Sequence, residues 1–246
     1  MKWPDDYINK VICGDCLEVM KGIPDKSVDL VLTSPPYNKT GYRGHRDNSK
    51  GRGRWSGADI AYGNFQDDLA EPEYQKWQIQ ILNECYRTLK KRGSVLYNHK
   101  IRRAKSQASH PMEWLLKTNL KFYQQIIWDR GSTPDHNLTY LDPITELIFW
   151  FTKDKPLCHK DNKWATEIWR FNADNNNNHP APFPLTLANL CISLTTLPDM
   201  LILDPFLGSG TTAVACKELG RKYIGIEINE HYCQIAERRL AQDYLF

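Results

Sequence analysis

The sequence lacks a long hydrophobic run, since no stretch reaches the roughly 18 apolar residues that a membrane-spanning helix needs. It also lacks an apolar leader, because residues 1–6 carry acids and a proline where a secretory signal would be apolar. The composition, with 41% hydrophobic and 25% charged residues, is typical of a globular protein in water. We therefore expect a cytoplasmic protein that does not associate with a membrane.

The sequence also lacks the cysteine pattern of a disulfide or zinc framework. Its seven cysteines are odd in number and scattered, which favours reduced thiols. Cys13 and Cys16 form a CxxC pair, but a structural zinc site needs four ligands, usually from two such pairs. The nearest complement, Cys158-His159, has the wrong spacing. We therefore expect no metal site.

Runs with strand-like and helix-like spacing alternate along the chain. Such alternation predicts an α/β fold with a doubly wound, mostly parallel sheet, and 246 residues fit a single domain over 1–246. In such a sheet ligands bind at the carboxyl ends of the strands. The predicted strands are 7–13, 28–33, 94–97, 122–128, 146–151, 200–204 and 222–227, and the predicted helices are 16–22, 72–89, 111–118, 185–197, 210–219 and 229–242.

Two segments have neither periodicity. Residues 39–66 are rich in glycine, arginine, lysine and asparagine, and they predict a long loop. Residues 129–178 are irregular, polar and aromatic, and they predict an insertion that lies on the α/β core. Between the two, residues 90–93 are predicted to be the basic end and glycine stop of a helix.

A glycine-rich turn joins the strand that ends at Asp204 to the next helix. Gly208 and Gly210 allow close approach of a ligand to the backbone, and the helix that follows presents N–H groups. The loop is too short for a phosphate-cradling motif and lacks its lysine. Glu227 ends the following strand, 23 residues after Asp204, where an acid can accept hydrogen bonds from both hydroxyls of a ribose.

The tetrapeptide Ser34-Pro35-Pro36-Tyr37 follows the strand that ends at Thr33. Together with the string from Asp204 to Thr212, it resembles the motifs of the β group of DNA amino-methyltransferases. In that group the catalytic motif precedes the cofactor motif, and here the glycine-rich loop lies about 170 residues downstream. Protein-glutamine methyltransferases have the opposite order. The resemblance implies a circularly permuted, Rossmann-like methyltransferase fold with S-adenosyl-L-methionine as cofactor.

The tetrapeptide suits methylation of a base amino group, whose lone pair is delocalised into the ring. Acceptors on its two N–H bonds pull the nitrogen towards tetrahedral geometry, and we predict the Ser34 hydroxyl and the Pro35 carbonyl as these acceptors. The rigidity of Pro35-Pro36 holds them in place. The ring of Tyr37 can stack on a base rotated out of the helix.

The resemblance also assigns residues to the cofactor. Gly14-Asp15-Cys16 matches the position that contacts the adenine and methionine parts, and the segment that begins at His179 matches one that packs against the methionine end. The predicted cofactor-binding residues are Asp15, Cys16, Ser34, His179, Asp204, Phe206, Gly208, Ser209, Gly210, Thr211 and Glu227.

Basic residues predict double-stranded DNA as the macromolecular partner, although a net charge of +3 decides nothing by itself. The loop 39–66 and the stretch 99–105 both follow predicted strand ends, where arginines could clamp phosphates. In this family the segment 129–178 carries target recognition. A cognate restriction endonuclease and a homodimer are further partners that the resemblance suggests. The predicted DNA-binding residues are Lys39, Arg43, Arg46, Arg52, Arg54, Arg102 and Arg103.

The sequence leaves the target base and two rival classes open. Cytosine enzymes of the family tend to begin the tetrapeptide with serine, and adenine enzymes with aspartate or asparagine, so Ser34 favours N4-methylcytosine over N6-methyladenine. An RNA or protein amino methyltransferase is an alternative enzyme class. A catalytically silent DNA-binding subunit on the same scaffold is the alternative outside enzymology.

Overall fold

The computed structural model describes residues 1–38, 69–104, 107–133, 140–159, 166–172 and 184–242. Within this part, no helix is both long and apolar enough to cross a bilayer. In chain order the described elements are β1 (Lys10–Cys13), α1 (Cys16–Met20), β2 (Val28–Thr33), α2 (Glu71–Thr88), β3 (Leu89–His99), β4 (Arg102–Ala104), β5 (Gln107–Ser109), α3 (Met112–Leu115), β6 (Lys121–Asp129), β7 (Thr145–Thr152), β8 (Ile168–Arg170), α4 (Leu185–Thr195), β9 (Leu201–Asp204), α5 (Thr211–Glu218), β10 (Lys222–Glu227) and α6 (Glu230–Ala241).

One eight-stranded sheet organises the protein, with strand order β1-β10-β9-β2-β3-β7-β6-β8. The five strands from β1 to β3 in this order are mutually parallel. Strand β7 runs antiparallel to both β3 and β6, and β8 is parallel to β6. The predicted α/β class with a mostly parallel sheet is confirmed. A separate two-stranded ribbon, β4–β5, had no signal in the sequence.

Both faces of the sheet are buried under helices, which explains the continuous apolar runs of its strands. Side chains of Val31, Val95 and Leu203 point to the face packed by α1, α2 and α3. Their neighbours Leu32 and Leu96 point to the opposite face, where α4 and α5 pack. This alternation along each strand is the physical basis of the doubly wound arrangement.

The site elements meet at one edge because β9 pairs with both β10 and β2. Parallel pairing brings the carboxyl ends of β1, β10, β9 and β2 to the same side of the sheet. The tetrapeptide after β2 therefore lies beside the glycine-rich loop after β9, although the two are far apart in sequence. The circular permutation implied by this order stays a prediction.

Two predicted boundaries were wrong for identifiable reasons. Residues 90–93 do not end a helix but belong to β3, whose first residue, Leu89, is buried and pairs with Val28 of β2. The predicted strand 7–13 begins only at Lys10, because Asn9 has a left-handed backbone with φ of 59°.

The predicted insertion 129–178 is also corrected. It contains β7, which lies inside the central sheet between β3 and β6, and the short strand β8 at the sheet edge. Within residues 153–159, Pro156 is buried, and the His159 N–H donates to the Leu194 carbonyl of α4 at 2.8 Å. Since β7 runs antiparallel to both β3 and β6, β6 is parallel to β3 and ends at the edge of the sheet that carries the site, where the β6–β7 connection begins.

Candidate active site

The carboxylate of Asp204 joins three parts of the site. Its Oδ1 accepts from the Thr33 hydroxyl at 2.8 Å and from the Phe206 N–H at 3.0 Å. Its Oδ2 accepts from the Thr212 hydroxyl at 2.6 Å. The end of β2, the loop after β9 and the first turn of α5 are thereby held by one side chain.

Asp204 is buried, and its electrostatics reflect that burial. Desolvation raises the pKa of Asp204 to about 6, against the opposing effect of its three hydrogen-bond donors. Its position indicates a structural role at the base of the glycine-rich loop, where it joins Thr33 to Thr212. Direct contact with a cofactor stays a prediction.

The loop after Asp204 is a rigid turn whose backbone donors are mostly used inside the protein. The Phe206 N–H donates to Asp204 Oδ1 at 3.0 Å, and the Leu207 N–H donates to the Ile226 carbonyl at 2.8 Å. The Gly208 N–H donates to Glu227 Oε2 at 2.9 Å, and the Gly210 N–H donates to the Leu207 carbonyl at 3.1 Å. The turn therefore suits a ligand that needs close approach rather than an array of phosphate donors.

Both predicted glycines of the turn are required by its geometry. Gly208 and Gly210 have φ of 55° and 92°, in the left-handed region. A Cβ on Gly210 would lie 2.8 Å from the Cβ of Ala236, so α6 packs directly against the loop. Any larger residue at Gly210 would push that helix away.

Glu227 lies at the end of β10, next to this loop. Its Oε2 accepts from the Gly208 N–H at 2.9 Å and its Oε1 from the Asn229 N–H at 2.8 Å. Burial raises its pKa despite these donors. The carbonyl of Glu227 accepts from the Gly14 N–H at 2.9 Å, which brings the turn after β1 to the same place.

The turn after β1, which carries Asp15 and Cys16, is joined to Glu227 through Gly14, and the predicted cofactor contacts of these two residues stay predictions. Asp15 caps α1, and its Oδ1 accepts from the N–H groups of Leu17 and Glu18 at 2.9 and 3.2 Å. Burial raises the pKa of the Cys16 thiol to about 12, which keeps it protonated at neutral pH. Among the described residues, no three metal-ligating side chains converge.

Ser34 and Tyr37 meet at a buried amide that sequence analysis did not identify. Both hydroxyls lie within hydrogen-bond distance of Asn98 Oδ1, at 3.2 Å from Ser34 and 3.0 Å from Tyr37, and they are 3.0 Å from each other. The Nδ2 of Asn98 donates to the Leu147 carbonyl at 3.2 Å. This contact fixes the amide so that its oxygen faces the two hydroxyls.

A tyrosine of α2 holds the backbone of the tetrapeptide. The Tyr74 hydroxyl donates to the Pro36 carbonyl at 2.8 Å and lies 2.9 Å from His99 Nε2. The ring of Tyr37 is 4.4 Å from that of His99. Within the described part of the chain, the Pro35 carbonyl accepts no hydrogen bond, whereas that of Pro36 does, which is consistent with the predicted acceptor role of Pro35.

An aromatic pair borders the cofactor loop on the side of α2. The Phe206 ring meets Trp77 edge to face, with centroids 5.5 Å apart. Trp77 lies in α2, within the predicted helix 72–89, and no site role was predicted for it. The contact places it next to the predicted cofactor residues.

Arg102 is a correction to the predicted DNA contacts. Its side chain is only 3% exposed and forms a bidentate ion pair with Glu71, with N–O distances of 2.8 and 2.7 Å. The guanidinium also lies over the rings of Tyr74 and Trp114, at 4.5 and 5.3 Å from their centroids. Because the Arg102 guanidinium is engaged by Glu71 and by two aromatic rings, it stabilises the β4–β5 ribbon next to α2 and is not exposed to a phosphate.

Arg103, the next residue, is exposed and lies 5.0 Å from the Tyr140 ring, near the β6–β7 connection. Its DNA contact stays a prediction. The cofactor residue His179 and the basic loop residues lie outside the described residues, so their roles stay predictions as well. The loop residues in question are Lys39, Arg43, Arg46, Arg52 and Arg54.

Comparison with known protein families identifies relatives over nearly the whole chain. The model of the N6/N4 methyltransferase family, described as DNA methylase, matches residues 28–238. The type II methyltransferase M.BglII of Bacillus subtilis is 30% identical, over 97% of this chain and 71% of that protein. The DNA adenine methyltransferase YhdJ of Escherichia coli is 26% identical, over 94% of this chain and 82% of that protein.

Solved structures share the same fold. The PvuII DNA methyltransferase, named as cytosine-N4-specific, has a TM-score of 0.77 at 21% identity, over 96% of this chain and 87% of that chain. The protein TTHA0409 of Thermus thermophilus, in complex with S-adenosyl-L-methionine, has a TM-score of 0.67 at 23% identity, over 96% and 95% of the two chains. Since the family model spans most of the chain and M.BglII reaches 30% identity, this chain belongs to the N6/N4 family of DNA methylases.

Proposed function

We propose that this DNA methylase transfers the methyl group of S-adenosyl-L-methionine to the N4 amino group of a cytosine rotated out of duplex DNA. The observation that carries the proposal is the hydrogen bond of 2.8 Å between Thr33 and Asp204. It fixes the acceptor residue Ser34, next to Thr33, against the loop predicted to hold the cofactor. A methyl donor and a base amino group could therefore meet at this edge of the sheet.

The residues after β9, β10 and β1 fit S-adenosyl-L-methionine. Each carboxylate oxygen of Glu227 accepts one N–H and keeps lone pairs that can accept from ribose hydroxyls. The turn through Gly208 offers few free donors, which suits a ligand without phosphate groups. The relative from Thermus thermophilus, which shares the fold, was solved with this same molecule. When bound, the cofactor supplies an electrophilic methyl group.

The chain itself makes the amino nitrogen nucleophilic. A serine hydroxyl can accept a hydrogen bond from the base only if its own proton points elsewhere, and Asn98 Oδ1 is the acceptor that takes this proton. The lone pairs of Ser34 and the Pro35 carbonyl then receive the two amino hydrogens. The Tyr37 ring stacks on the base, and Tyr74 holds the Pro36 carbonyl so that the turn keeps its shape.

Cytosine N4 is the favoured target because the tetrapeptide begins with serine. The fold neighbour with the higher TM-score of the two, the PvuII enzyme, is named for that atom. Adenine N6 is the alternative, since the relative YhdJ is named as an adenine methyltransferase. A hydroxyl that accepts one amino hydrogen serves either base, so the acceptor geometry supports amino methylation more strongly than it supports the choice of base.

The DNA partner is bound, in this proposal, by the basic loop 39–66 and by Arg103, with target recognition carried by the connections within 129–178. The β6–β7 connection emerges at the edge of the sheet that holds Ser34, where it could reach the bases next to a flipped one. A cognate restriction endonuclease and a homodimer belong to the same proposal.

A methyl-transfer assay tests the proposal against its rivals. The protein is incubated with S-adenosyl-L-methionine carrying a labelled methyl group and with duplex DNA, RNA or a protein mixture in parallel. We expect label in DNA alone, and Ser34→Ala should abolish it. Label in RNA or protein would contradict the DNA assignment. Binding of cofactor in calorimetry without transfer to genomic DNAs of varied sequence would indicate a silent binding subunit.

A further inference from the structure

The glycine-rich loop is shaped from outside by α6, a helix to which neither the sequence motifs nor the proposed function gives a role. Gly208 and Gly210 both adopt left-handed backbone conformations, so the shape of the loop depends on the contacts around it. Hydrogen bonds to Glu227 and to the Leu207 carbonyl hold the N–H groups of the two glycines. The carbonyl of Ser209, between them, is held by a residue outside the loop.

That group is Arg239, in the last turn of α6. Its Nη1 donates to the Ser209 carbonyl at 2.8 Å, and it lies 3.2 Å from both Ser209 Oγ and Thr211 Oγ1. One turn earlier, Ala236 lies so near Gly210 that a Cβ at that glycine would be 2.8 Å from the Ala236 Cβ. Residues 236 and 239 share a face of the helix, and this face therefore meets the loop at Gly210 as well as at Ser209 and Thr211.

We propose that Arg239 is a positioning residue for cofactor binding. It acts by holding the Ser209 peptide, and with it the left-handed turn at Gly210, in the conformation that S-adenosyl-L-methionine requires. The inference rests on the proposed function, because it presumes that this loop binds that cofactor. The guanidinium bonds the side of the loop that faces α6, so it fixes the loop shape rather than touching the reacting atoms.

The neighbouring Arg238 provides a matched control. It lies on the same turn of α6 and carries the same charge, but it is exposed and its Nε donates to the Gln234 carbonyl of its own helix at 3.2 Å. Either arginine stabilises the carboxyl end of the helix through its positive charge. Only Arg239 reaches the loop, so a general effect on helix stability should be equal for the two.

Calorimetric titration of the full chain with S-adenosyl-L-methionine tests the inference. Arg239→Ala should raise the Kd roughly 10- to 100-fold, the range for losing hydrogen bonds to a charged group. Arg238→Ala should leave the Kd within about twofold, and Arg239→Lys, which can still reach the Ser209 carbonyl, should recover part of the loss. At saturating cofactor, Arg239→Ala should keep most of the wild-type kcat, because the acceptors at Ser34 are untouched.

The failures of the two proposals can be told apart. If the wild-type protein does not bind S-adenosyl-L-methionine, the proposed function fails and the inference fails with it. If the wild-type protein binds and Arg239→Ala has the same Kd as Arg238→Ala, the inference alone is overturned. Should Arg239→Ala not fold, as judged by circular dichroism, Arg239→Gln is compared with Arg238→Gln under the same criterion.

Discussion

Removal of the Asn98 side chain tests how the serine of the tetrapeptide is oriented. Asn98→Ala deletes the oxygen that accepts from Ser34 and Tyr37. The Ser34 proton then has only the Tyr37 hydroxyl beside it, which can equally well donate to Ser34, so the orientation of the serine hydroxyl is no longer fixed. Losing one orienting hydrogen bond costs about 1–2 kcal/mol, which corresponds to a fall in kcat of roughly 5- to 30-fold.

A double-mutant cycle shows whether this loss passes through Ser34. The kcat values of Asn98→Ala, Ser34→Ala and the double variant are measured with saturating DNA and cofactor. If Asn98 acts by orienting the serine, its removal should matter little once Ser34 is alanine, so the double variant should resemble Ser34→Ala within about twofold. Additive losses in the cycle would refute the reasoning.

The cycle needs evidence that the variants remain folded. Asn98 also donates to the Leu147 carbonyl, so Asn98→Ala leaves one buried acceptor unpaired and should lower the free energy of unfolding by about 1–3 kcal/mol. Urea denaturation measures that loss. The Kd for S-adenosyl-L-methionine should stay unchanged, since Asn98 does not contact the cofactor loop, and a weakened Kd would show that the amide supports the whole site.

Three further predictions concern stacking, burial and the basic loop. Tyr37→Phe should keep most of the steady-state kcat, because the stacking ring remains. Tyr37→Ala should lower kcat about 5- to 150-fold, which corresponds to the roughly 1–3 kcal/mol that one stacked base contributes. Equal losses of kcat in the two variants would contradict this role. Burial raises the pKa of Asp204 to about 6 in the folded protein, so the unfolded chain loses this proton first as the pH rises from about 4 to 6. The free energy of unfolding, measured by urea denaturation, should therefore fall over that pH range. Asp204→Asn should flatten this fall, and an unchanged pH dependence would contradict the assignment. The third prediction concerns the arginines of the basic loop, at positions Arg43, Arg46, Arg52 and Arg54. Neutralising them should weaken DNA binding regardless of sequence and reduce the slope of log K against log salt by about one unit per lost phosphate contact. An unaltered slope would show that these arginines do not contact phosphates.

The fold and the two main motifs could be predicted because their signals are local. Apolar strands followed by turns give the carboxyl edge of the sheet, and the string from Asp204 to Thr212 has a specific order of residue types. Strand β10 has the predicted limits 222–227, bounded by a turn and by the acid Glu227. Parallel pairing then brings these ends together without further information.

The supporting residues could not be predicted, because their roles depend on long-range pairing. Asn98 reaches Ser34 only since β3 lies beside β2, and nothing around it in sequence distinguishes it from any polar residue near a strand end. Arg239 is one of several charged residues of α6, and nothing in the sequence distinguishes it from the others. Arg102 was misassigned because a basic run is usually solvated, whereas here Glu71 and two aromatic rings bury one of its members.

The insertion was misjudged for a related reason. Strand β7 was predicted at 146–151, but the segment around it was assigned as a whole to an insertion, because its polar and aromatic composition indicates irregular structure. An antiparallel strand inside an otherwise parallel sheet needs no crossover helix, so the strand–helix alternation that places the other strands in the sheet does not place this one.

The product of the reaction tests the central claim most directly. DNA methylated by the protein is digested to nucleosides and analysed by mass spectrometry. We predict N4-methylcytosine and no 5-methylcytosine, because methylation of the ring carbon requires a cysteine nucleophile, whereas Ser34 and Tyr37 offer only acceptors and a stacking ring. N6-methyladenine would change the target base but keep the mechanism of amino methylation. Finding 5-methylcytosine, or no modified base in any DNA, would contradict the mechanism itself.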